Sequence, residues 1–225
     1  MSDLRPRTYM DNAATSFPKP KAVLEAMQRY AAELGASPGR GAYYESRESG
    51  RLLDQCRERI NTLIGGEDPK HVVFTLNCTD SLNIAIKGVV RPGDHVITTD
   101  LDHNSILRPF NKLVADGIAT QTRVPVDPVT GLADPEDIRR AIQPNTRLIA
   151  VLHGSNVTGT LQDIAAMGRI AREHDGVLFC VDAAQSLGHV PIDVQEIGID
   201  LLAAPGHKGL LGPLGTGIQI GRAHV

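Results

Sequence analysis

Cysteine is scarce in this sequence, and the three cysteines, Cys56, Cys78 and Cys180, are widely scattered. They form neither the paired framework of a disulfide-rich secreted domain nor the close spacing of a zinc site. No apolar run approaches the roughly 20 residues that a membrane helix needs. The first residues, MSDLRPRTYMDNAATSF, also lack the apolar core of a secretion signal. We therefore expect a cytoplasmic protein with no metal site and no membrane partner.

An excess of charge of one sign is lacking as well. The chain has 23 Lys and Arg residues against 26 Asp and Glu residues, which gives a formal net charge of -3. This balance provides no basic stripe for nucleic acid, so small molecules are the expected partners. Repeats and low-complexity linkers are absent, and 225 residues with 41% hydrophobic composition can build a large core.

What is present is an alternation of two apolar patterns. Residues 20–34 and 45–64 carry apolar side chains at helical spacing, and Cys56 lies on the apolar face of the second segment. Six short β-branched and aliphatic runs predict strands at 71–75, 95–99, 119–124, 147–153, 176–182 and 200–204. Two of these runs are apolar without alternation, as expected of parallel strands covered on both faces. The sequence predicts an α/β fold with a mostly parallel sheet.

Five of the predicted strands are followed directly by side chains that bind or react. In chain order these are Thr79, His103, Asn156, Asp182 with Gln185, and His207 with Lys208. In open parallel sheets, ligands bind beyond the carboxyl ends of the strands. We therefore expect these residues to meet at one edge of the sheet.

Lys208 lies in the glycine-rich stretch PGHKGLLGPLGTG. Most lysines in such loops are simply solvated. Glycine, however, lets the backbone approach a ligand closely, and a lysine with a lowered pKa can condense with an aldehyde. We interpret Lys208 as a residue that bonds to an aldehyde cofactor.

Asp182 and the turn at Cys78 and Thr79 suggest which cofactor this is. Asp182 ends an apolar strand, where a buried carboxylate needs a cation. The protonated pyridine nitrogen of pyridoxal phosphate is such a cation, although a salt bridge or a helix cap would also serve. Thr79 is predicted as the N-cap of the next helix, whose N-terminus can bind phosphate or can be capped without a ligand.

Three further residues fit the same cofactor. His103 can stack on a pyridine ring and offers a titratable nitrogen. Asn156 and Gln185 can bind a ring hydroxyl. Each of the three is also compatible with an ordinary loop position, so only their joint placement indicates a site.

Seven ordered motifs between Tyr9 and Ile218 resemble one known family, the class V aminotransferases, and within it the cysteine desulfurase-like enzymes. They are YMDNAATSFPKP, ASPGRGAYYES, VVFTLNCTDSLNIAIKG, GDHVITTDLDHNSILRP, SNVTGT, VDAAQSLGHVPIDV and GHKGLLGPLGTG. The resemblance implies a pyridoxal-phosphate enzyme of fold type I. Its large domain is a three-layer sandwich, expected here at residues 16–219 after an N-terminal arm at 1–15.

The resemblance also implies roles for the catalytic residues. Lys208 would be the Schiff-base lysine, Asp182 would pair with the pyridinium, and His103 would stack on the ring and take part in catalysis.

Further roles concern the rest of the cofactor and the assembly. Asn156 and Gln185 would lie near the ring hydroxyl, and Cys78, Thr79 and His207 at the phosphate. The resemblance implies a homodimer with L-cysteine as the amino-acid substrate and a protein as the sulfur acceptor.

The sequence departs from the family pattern in two respects. Pro205 stands where many relatives carry Ser or Thr, and proline has no N–H to donate to a phosphate. In the family, the attacking cysteine and a substrate-binding arginine lie in a C-terminal part that follows the lysine loop. Cys56 and Cys180 are expected to be buried and Cys78 to face the phosphate, so none of the three matches that cysteine.

The residues from Ile220 to Val225 are also unusual, because relatives continue this strand with an apolar run. One codon choice for QIGRAHV reproduces a common sequencing-adapter sequence. We therefore expect a non-native tail at 220–225 on an N-terminal fragment that lacks the small C-terminal domain.

Three alternatives to a cysteine desulfurase are considered. Selenocysteine lyase, or another class V lyase or aminotransferase, would share the fold and the cofactor. A fragment that binds the cofactor without turnover is the second alternative. A dinucleotide-binding domain is disfavoured, because no GxGxxG follows the first strand and GHKGLLGPLGTG lacks the GxxxxGK[ST] order.

Overall fold

The computed structural model describes residues 8–221. Within them, seven strands form one sheet: β1 Val72–Thr75, β2 Asp94–Thr99, β3 Ala119–Val124, β4 Thr146–Leu152, β5 Leu178–Asp182, β6 Leu201–Pro205 and β7 Gly217–Gly221. Their order across the sheet is β1-β7-β6-β5-β4-β2-β3. The six predicted strands are confirmed with small shifts at their ends, and β7 was not among those predicted from the residue pattern.

The strand directions confirm a mostly parallel sheet. Strands β2 to β6 are joined by parallel pairings. Strand β7 is antiparallel to both of its neighbours, β6 and β1, so β1 points the same way as β6. All six predicted strands therefore end at the same edge of the sheet.

Helices cover both faces of this sheet. The α-helices are α1 Lys21–Arg29, α2 Tyr44–Leu63, α3 Cys78–Val89, α4 Asn104–Ala115, α5 Pro135–Ala141, α6 Ile164–Arg172 and α7 Val194–Ile197. Helices α3 and α4 contribute to one buried cluster, and α5, α6 and α7 contribute to the other, on the opposite face. The predicted three-layer α/β architecture is confirmed.

Strand β4 shows why the apolar runs in the sequence do not alternate. Ile149 and Val151 belong to one buried cluster, whereas Leu148 and Ala150 belong to the other. Successive side chains of a strand point to opposite faces, and both faces are covered here.

The two predicted amphipathic helices exist, but their burial differs from the prediction. Helix α1 has no buried residue, and it continues into a π-helical segment at Tyr30–Leu34. Cys56 in α2 was predicted to be buried, but it is exposed. The reason is that α2 reaches the core only near its end, at Ile60 and Ile64.

The residues at the end of the chain leave one expectation open. Ile220 pairs with Val72 on one side and Leu202 on the other, while residues 222–225 lie outside the described part of the chain. The non-native tail stays a prediction.

Between residues 8 and 221, none of the helices combines the length and apolar character that crossing a bilayer would require.

His95 is fully buried in β2, between two threonines. Its Nδ1 lies 2.7 Å from Thr146 Oγ1 and its Nε2 lies 2.8 Å from Thr122 Oγ1. Burial lowers the pKa of this histidine. A lowered pKa means that the folded state resists protonation, so the stability is complete above the unfolded pKa and is lost as pH falls through the folded pKa.

We therefore expect the unfolding free energy of His95→Gln to depend less on pH in the acid range than that of the wild-type chain. Between about pH 7 and about pH 5, the wild-type chain should lose up to about 1.4 kcal/mol of unfolding free energy per pH unit relative to this variant. Urea denaturation at several pH values measures the difference. The exposed His189, replaced by Gln, is the control, and parallel profiles for wild type and His95→Gln would contradict the expectation.

Candidate active site

A pocket of about 130 Å³ lies at the carboxyl ends of the parallel strands. All eight predicted site residues line it: Cys78, Thr79, His103, Asn156, Asp182, Gln185, His207 and Lys208. Pro205 lines it as well, as do five residues that were not singled out: Asn77, Ser105, Leu152, Gly154 and Ala184. The expected convergence of strand ends on one edge is therefore observed.

Asp182 is a buried carboxylate, and only one of its two oxygens accepts hydrogen bonds within the described residues. It is 3% exposed. Its Oδ1 accepts the Ala184 N–H at 2.9 Å and the Cys78 thiol at 3.4 Å. Burial raises its pKa, and within residues 8–221 no hydrogen bond reaches its Oδ2. A cationic N–H donor in the pocket would compensate for this buried charge.

Helix α3 begins at the pocket, but its cap differs from the prediction. The N-cap is Asn77, whose Oδ1 accepts the Asp80 N–H at 2.9 Å. Thr79 is thus the second residue of the helix and not its cap. Both Asn77 and Thr79 are good capping residues, and the cap lies two residues earlier than predicted. The N–H groups of Cys78 and Thr79 remain at the open end of the helix, where anions bind.

The ring of His103 is oriented by the first turn of α4. His103 is the N-cap of this helix, and its Nδ1 accepts the Ser105 N–H at 3.2 Å. Ser105 Oγ lies 2.8 Å from the same nitrogen and 2.8 Å from Thr79 Oγ1. Because Nδ1 accepts a backbone N–H, the proton of the neutral ring is on Nε2.

Asp102 fixes the loop that carries His103. It is 5% exposed. Its two oxygens accept the N–H groups of Thr99 and Leu152, each at 2.6 Å, and so tie the end of β2 to β4. Burial raises the pKa of Asp102 to about 7, and the nearby Asp182 contributes in the same direction. Asp102 was not among the predicted site residues, although it stands directly before His103.

We expect the neutral ring of His103 to carry its proton on Nε2 in the cofactor-free chain. Histidine ¹⁵N NMR distinguishes the two tautomers, with His103→Gln to assign the signal. Ser105→Ala removes the hydroxyl contact to Nδ1 but keeps the backbone N–H that donates to it, so the Nε2–H form should still dominate in this variant. Asn104→Ala, a change to the exposed neighbour, should leave the spectrum unchanged. A dominant Nδ1–H form in the wild type would rule out this orientation.

The loop after β6 brings His207 and Lys208 to the pocket. One of its glycines, Gly209, packs on the backbone of a neighbouring loop, and the expected close approach of the glycines to a ligand stays a prediction. A Cβ at Gly209 would overlap the carbonyl oxygen of Leu187, and one at Gly188, where φ is 89°, would overlap Gly209. The glycines therefore let this loop pack directly on the backbone of residues 187–189.

The side chains of Gln185, Asn156 and His207 reach the pocket from three loops. Gln185 Nε2 donates to the carbonyl of Ala13 at 3.0 Å. His207 Nδ1 lies 3.0 Å from Thr15 Oγ1. Burial and the cations of Lys208 and Lys19 lower the pKa of His207. Asn156 is exposed, and within the described residues its side chain makes no hydrogen bond.

The predicted division between an arm at 1–15 and a domain at 16–219 stays a prediction.

The cysteines differ in accessibility. Cys78 is 8% exposed and Cys180 is fully buried, and burial raises the pKa of both thiols. Cys56 is exposed but does not line the pocket. Among residues 8–221, no cluster of His, Cys, Asp and Glu has the arrangement of a metal site.

Comparison with known proteins identifies the family. The family model described as Aminotransferase class-V matches residues 8–225. The chain belongs to the class V aminotransferase family. The resemblance read from the seven motifs is thereby confirmed.

Several class V relatives are described as cysteine desulfurases. A probable cysteine desulfurase of Methanothermobacter thermautotrophicus is 42% identical over 216 residues, which are 95% of this chain and 52% of the relative. The cysteine desulfurase IscS of Dictyoglomus turgidum is 36% identical over 218 residues, which are 95% of this chain and 54% of the relative. The chain thus spans about half the length of the curated relatives it matches.

Solved structures of class V proteins agree with the fold. The apo cysteine desulfurase from Thermococcus onnurineus NA1 matches with a TM-score of 0.88 and 34% identity, over 96% of this chain and 53% of that chain. SspA in complex with cysteine matches with a TM-score of 0.89 and 34% identity, over 96% of this chain and 62% of that chain. The sheet described above is therefore the large domain of a cysteine desulfurase-like fold.

Proposed function

We propose that this chain is the cofactor-binding part of a pyridoxal-phosphate-dependent cysteine desulfurase, which takes sulfur from L-cysteine. The observation that carries the proposal is the pocket in which Lys208 and the buried carboxylate of Asp182 meet at the open end of α3. Its support from relatives is the name cysteine desulfurase at 36% and 42% identity. A structural neighbour was solved in complex with cysteine.

The side chains of the pocket fit each part of this cofactor. The amine of Lys208 suits the aldehyde, and the free Oδ2 of Asp182 suits the pyridine nitrogen. The open N–H groups of α3, with Thr79 and His207, suit the phosphate. When bound, pyridoxal phosphate withdraws electrons from the α-carbon of an amino acid.

The remaining side chains suit the ring itself. His103, held by Ser105, presents its Nε2 proton and its ring face at the pocket. Asn156 and Gln185 offer amides for a ring hydroxyl. Pro205 lines the pocket without an N–H, so phosphate binding must rely on the other donors.

Three side chains of the pocket have different chemical roles in this proposal. Asp182 holds a proton on the pyridine nitrogen and so keeps the ring electron-poor. Lys208 would hold the cofactor through its amine, and the same amine could accept a proton from the substrate. His103 moves a proton at Nε2, the nitrogen that is free of helix contacts.

The transfer of sulfur needs a thiolate that is accessible and has a lowered pKa. Cys78 and Cys180 have the opposite properties, and Cys56 lies outside the pocket. We propose that the sulfur-accepting thiol is contributed by another segment or another protein. A homodimer and a sulfur-acceptor partner are part of the same proposal, and both follow from the resemblance to the family.

The test compares the chain with a chimera that carries the C-terminal half of the Methanothermobacter relative. Both should turn yellow with pyridoxal phosphate. With L-cysteine and dithiothreitol, the chimera should release sulfide, whereas the chain alone should stay at the level of free cofactor. Selenide from selenocysteine without sulfide from cysteine would favour the lyase alternative. Failure of both proteins to bind the cofactor would refute the proposal.

A further inference from the structure

Lys19 is a half-buried lysine whose ammonium is fully engaged by uncharged acceptors. Its Nζ lies 2.6 Å from Ser16 Oγ, 2.7 Å from the carbonyl oxygen of His207 and 3.5 Å from Thr15 Oγ1. An ammonium has three protons to donate, and all three find an acceptor here. Within the described residues, Lys19 forms no ion pair, and burial lowers its pKa. Such a lysine is not an ordinary solvated side chain.

The carbonyl of His207 is the centre of this arrangement. It accepts the hydroxyls of Thr15 and Ser16, each at 3.0 Å, and the Ser16 N–H at 3.1 Å, in addition to Lys19. Four donors share one oxygen, and the bond from the charged donor is the shortest and is expected to be the strongest. We call the contacts of Thr15, Ser16 and Lys19 with His207 the Lys19 latch.

The latch lies where two walls of the pocket join. His207 immediately precedes Lys208, so the peptide that receives the latch is the one that carries the backbone N–H of Lys208. The segment that provides the latch also accepts the side chain of Gln185 at Ala13. Residues 13–19 thus hold two pocket residues directly, Gln185 and His207, and hold Lys208 through its neighbour His207.

We propose that Lys19 is a positioning residue that fastens residues 13–19 onto the His207–Lys208 peptide and so holds Lys208 in place for the cofactor. The proposal rests on the proposed function for its cofactor part. The latch itself is a property of the cofactor-free chain.

Lys21 offers a matched control two residues away. Its side chain is 89% exposed and pairs with Glu25 at 3.0 Å, a contact of the kind that contributes little to stability. Lys19→Met and Lys21→Met remove the same charge from the same short segment. Only the first change removes the charged contact of the latch.

The first measurement is hydrogen exchange of the cofactor-free chain. The Ser16 N–H donates to the His207 carbonyl, so its exchange reports the latch directly. Lys19→Met should speed exchange in peptides covering residues 9–19 about tenfold, as expected for the loss of a charged hydrogen bond. Lys21→Met should leave it unchanged, and Lys19→Arg should restore most of the protection. Unchanged exchange in Lys19→Met would show that the latch is not formed.

The second measurement is the rate at which borohydride-fixed pyridoxal phosphate accumulates on Lys208. It should fall about tenfold in Lys19→Met and recover in Lys19→Arg. Faster exchange with an unchanged rate would reduce Lys19 to a tether and overturn the positioning role. Ser16→Ala, which removes one acceptor of the ammonium and one donor to His207, should give an intermediate effect if Lys19→Met fails to fold.

These two measurements separate this inference from the proposed function. If neither the wild-type chain nor the chimera takes up the cofactor, the proposed function and the positioning role are both wrong. The exchange of residues 9–19 would still decide whether the latch exists.

Discussion

Replacing Lys208 with alanine is expected to abolish covalent attachment of pyridoxal phosphate to this chain. In the part of the chain that the structure describes, Lys208 is the only lysine that lines the pocket. Condensation with an aldehyde needs an amine at that place, and alanine offers none. In the wild type, peptide mass spectrometry after borohydride reduction should find the cofactor on Lys208. In Lys208→Ala, the fixed cofactor and the visible absorbance should both disappear.

Two neighbouring lysines serve as controls for this result. Lys87 and Lys112 line a groove that shares Thr79, His103 and Ser105 with the pocket. Lys87→Ala and Lys112→Ala should label like the wild type. Cofactor fixed on Lys87, Lys112 or Lys19 in the wild type would overturn the assignment of Lys208.

Asp182→Asn is expected to act in opposite directions on the empty and the loaded protein. Asparagine can still accept the N–H of Ala184 through its oxygen, and it no longer buries a charge. Loss of one partner of a buried ion pair typically costs about 3–5 kcal/mol. The affinity for pyridoxal phosphate should therefore fall by about 10²- to 4 × 10³-fold, while the cofactor-free chain should become more stable. Fluorescence titration and thermal unfolding measure the two effects.

The pH dependence of the stability gain has a defined sign. Burial raises the pKa of Asp182, so the stability of the wild type is complete below the unfolded pKa and is lost as pH rises through the folded pKa. The advantage of Asp182→Asn should accordingly appear as pH rises above about 4. Asp200→Asn is the control, because Asp200 accepts the Phe179 N–H and does not line the pocket. Equal cofactor affinity in Asp182→Asn and wild type would remove Asp182 from the proposed site.

The sheet was largely predictable because most of its strands have a local residue pattern that is typical of strands. The run that forms β3, ATQTRV, has three β-branched residues among six, Thr120, Thr122 and Val124, and it was placed at its observed bounds. Strand β7 was missed because Gly217–Gly221 has only two β-branched residues, Ile218 and Ile220, between glycines. Its pairing with β1 joins residues far apart in sequence, and no local pattern reveals that contact.

The site was predictable to the extent that parallel strands bring their ends together. Asp182 and Lys208 follow different strands, yet the parallel arrangement places both at one edge. Ser105 and Lys19 were missed because their contacts depend on the folded chain. Lys19 meets a carbonyl 188 residues away, and a backbone carbonyl leaves no trace in the sequence.

The position of β7 sets the order in which the sheet can be completed during synthesis on the ribosome. Strand β1 leaves the ribosome early, yet within the described residues its only partner in the sheet is β7, the last strand made. The parallel strands β2 to β6 can assemble before that point, while the edge of β1 stays unpaired. Unpaired strand edges in nascent chains promote aggregation. If synthesis ended before Gly217, the released chain would therefore have a nearly complete parallel sheet and an exposed first strand.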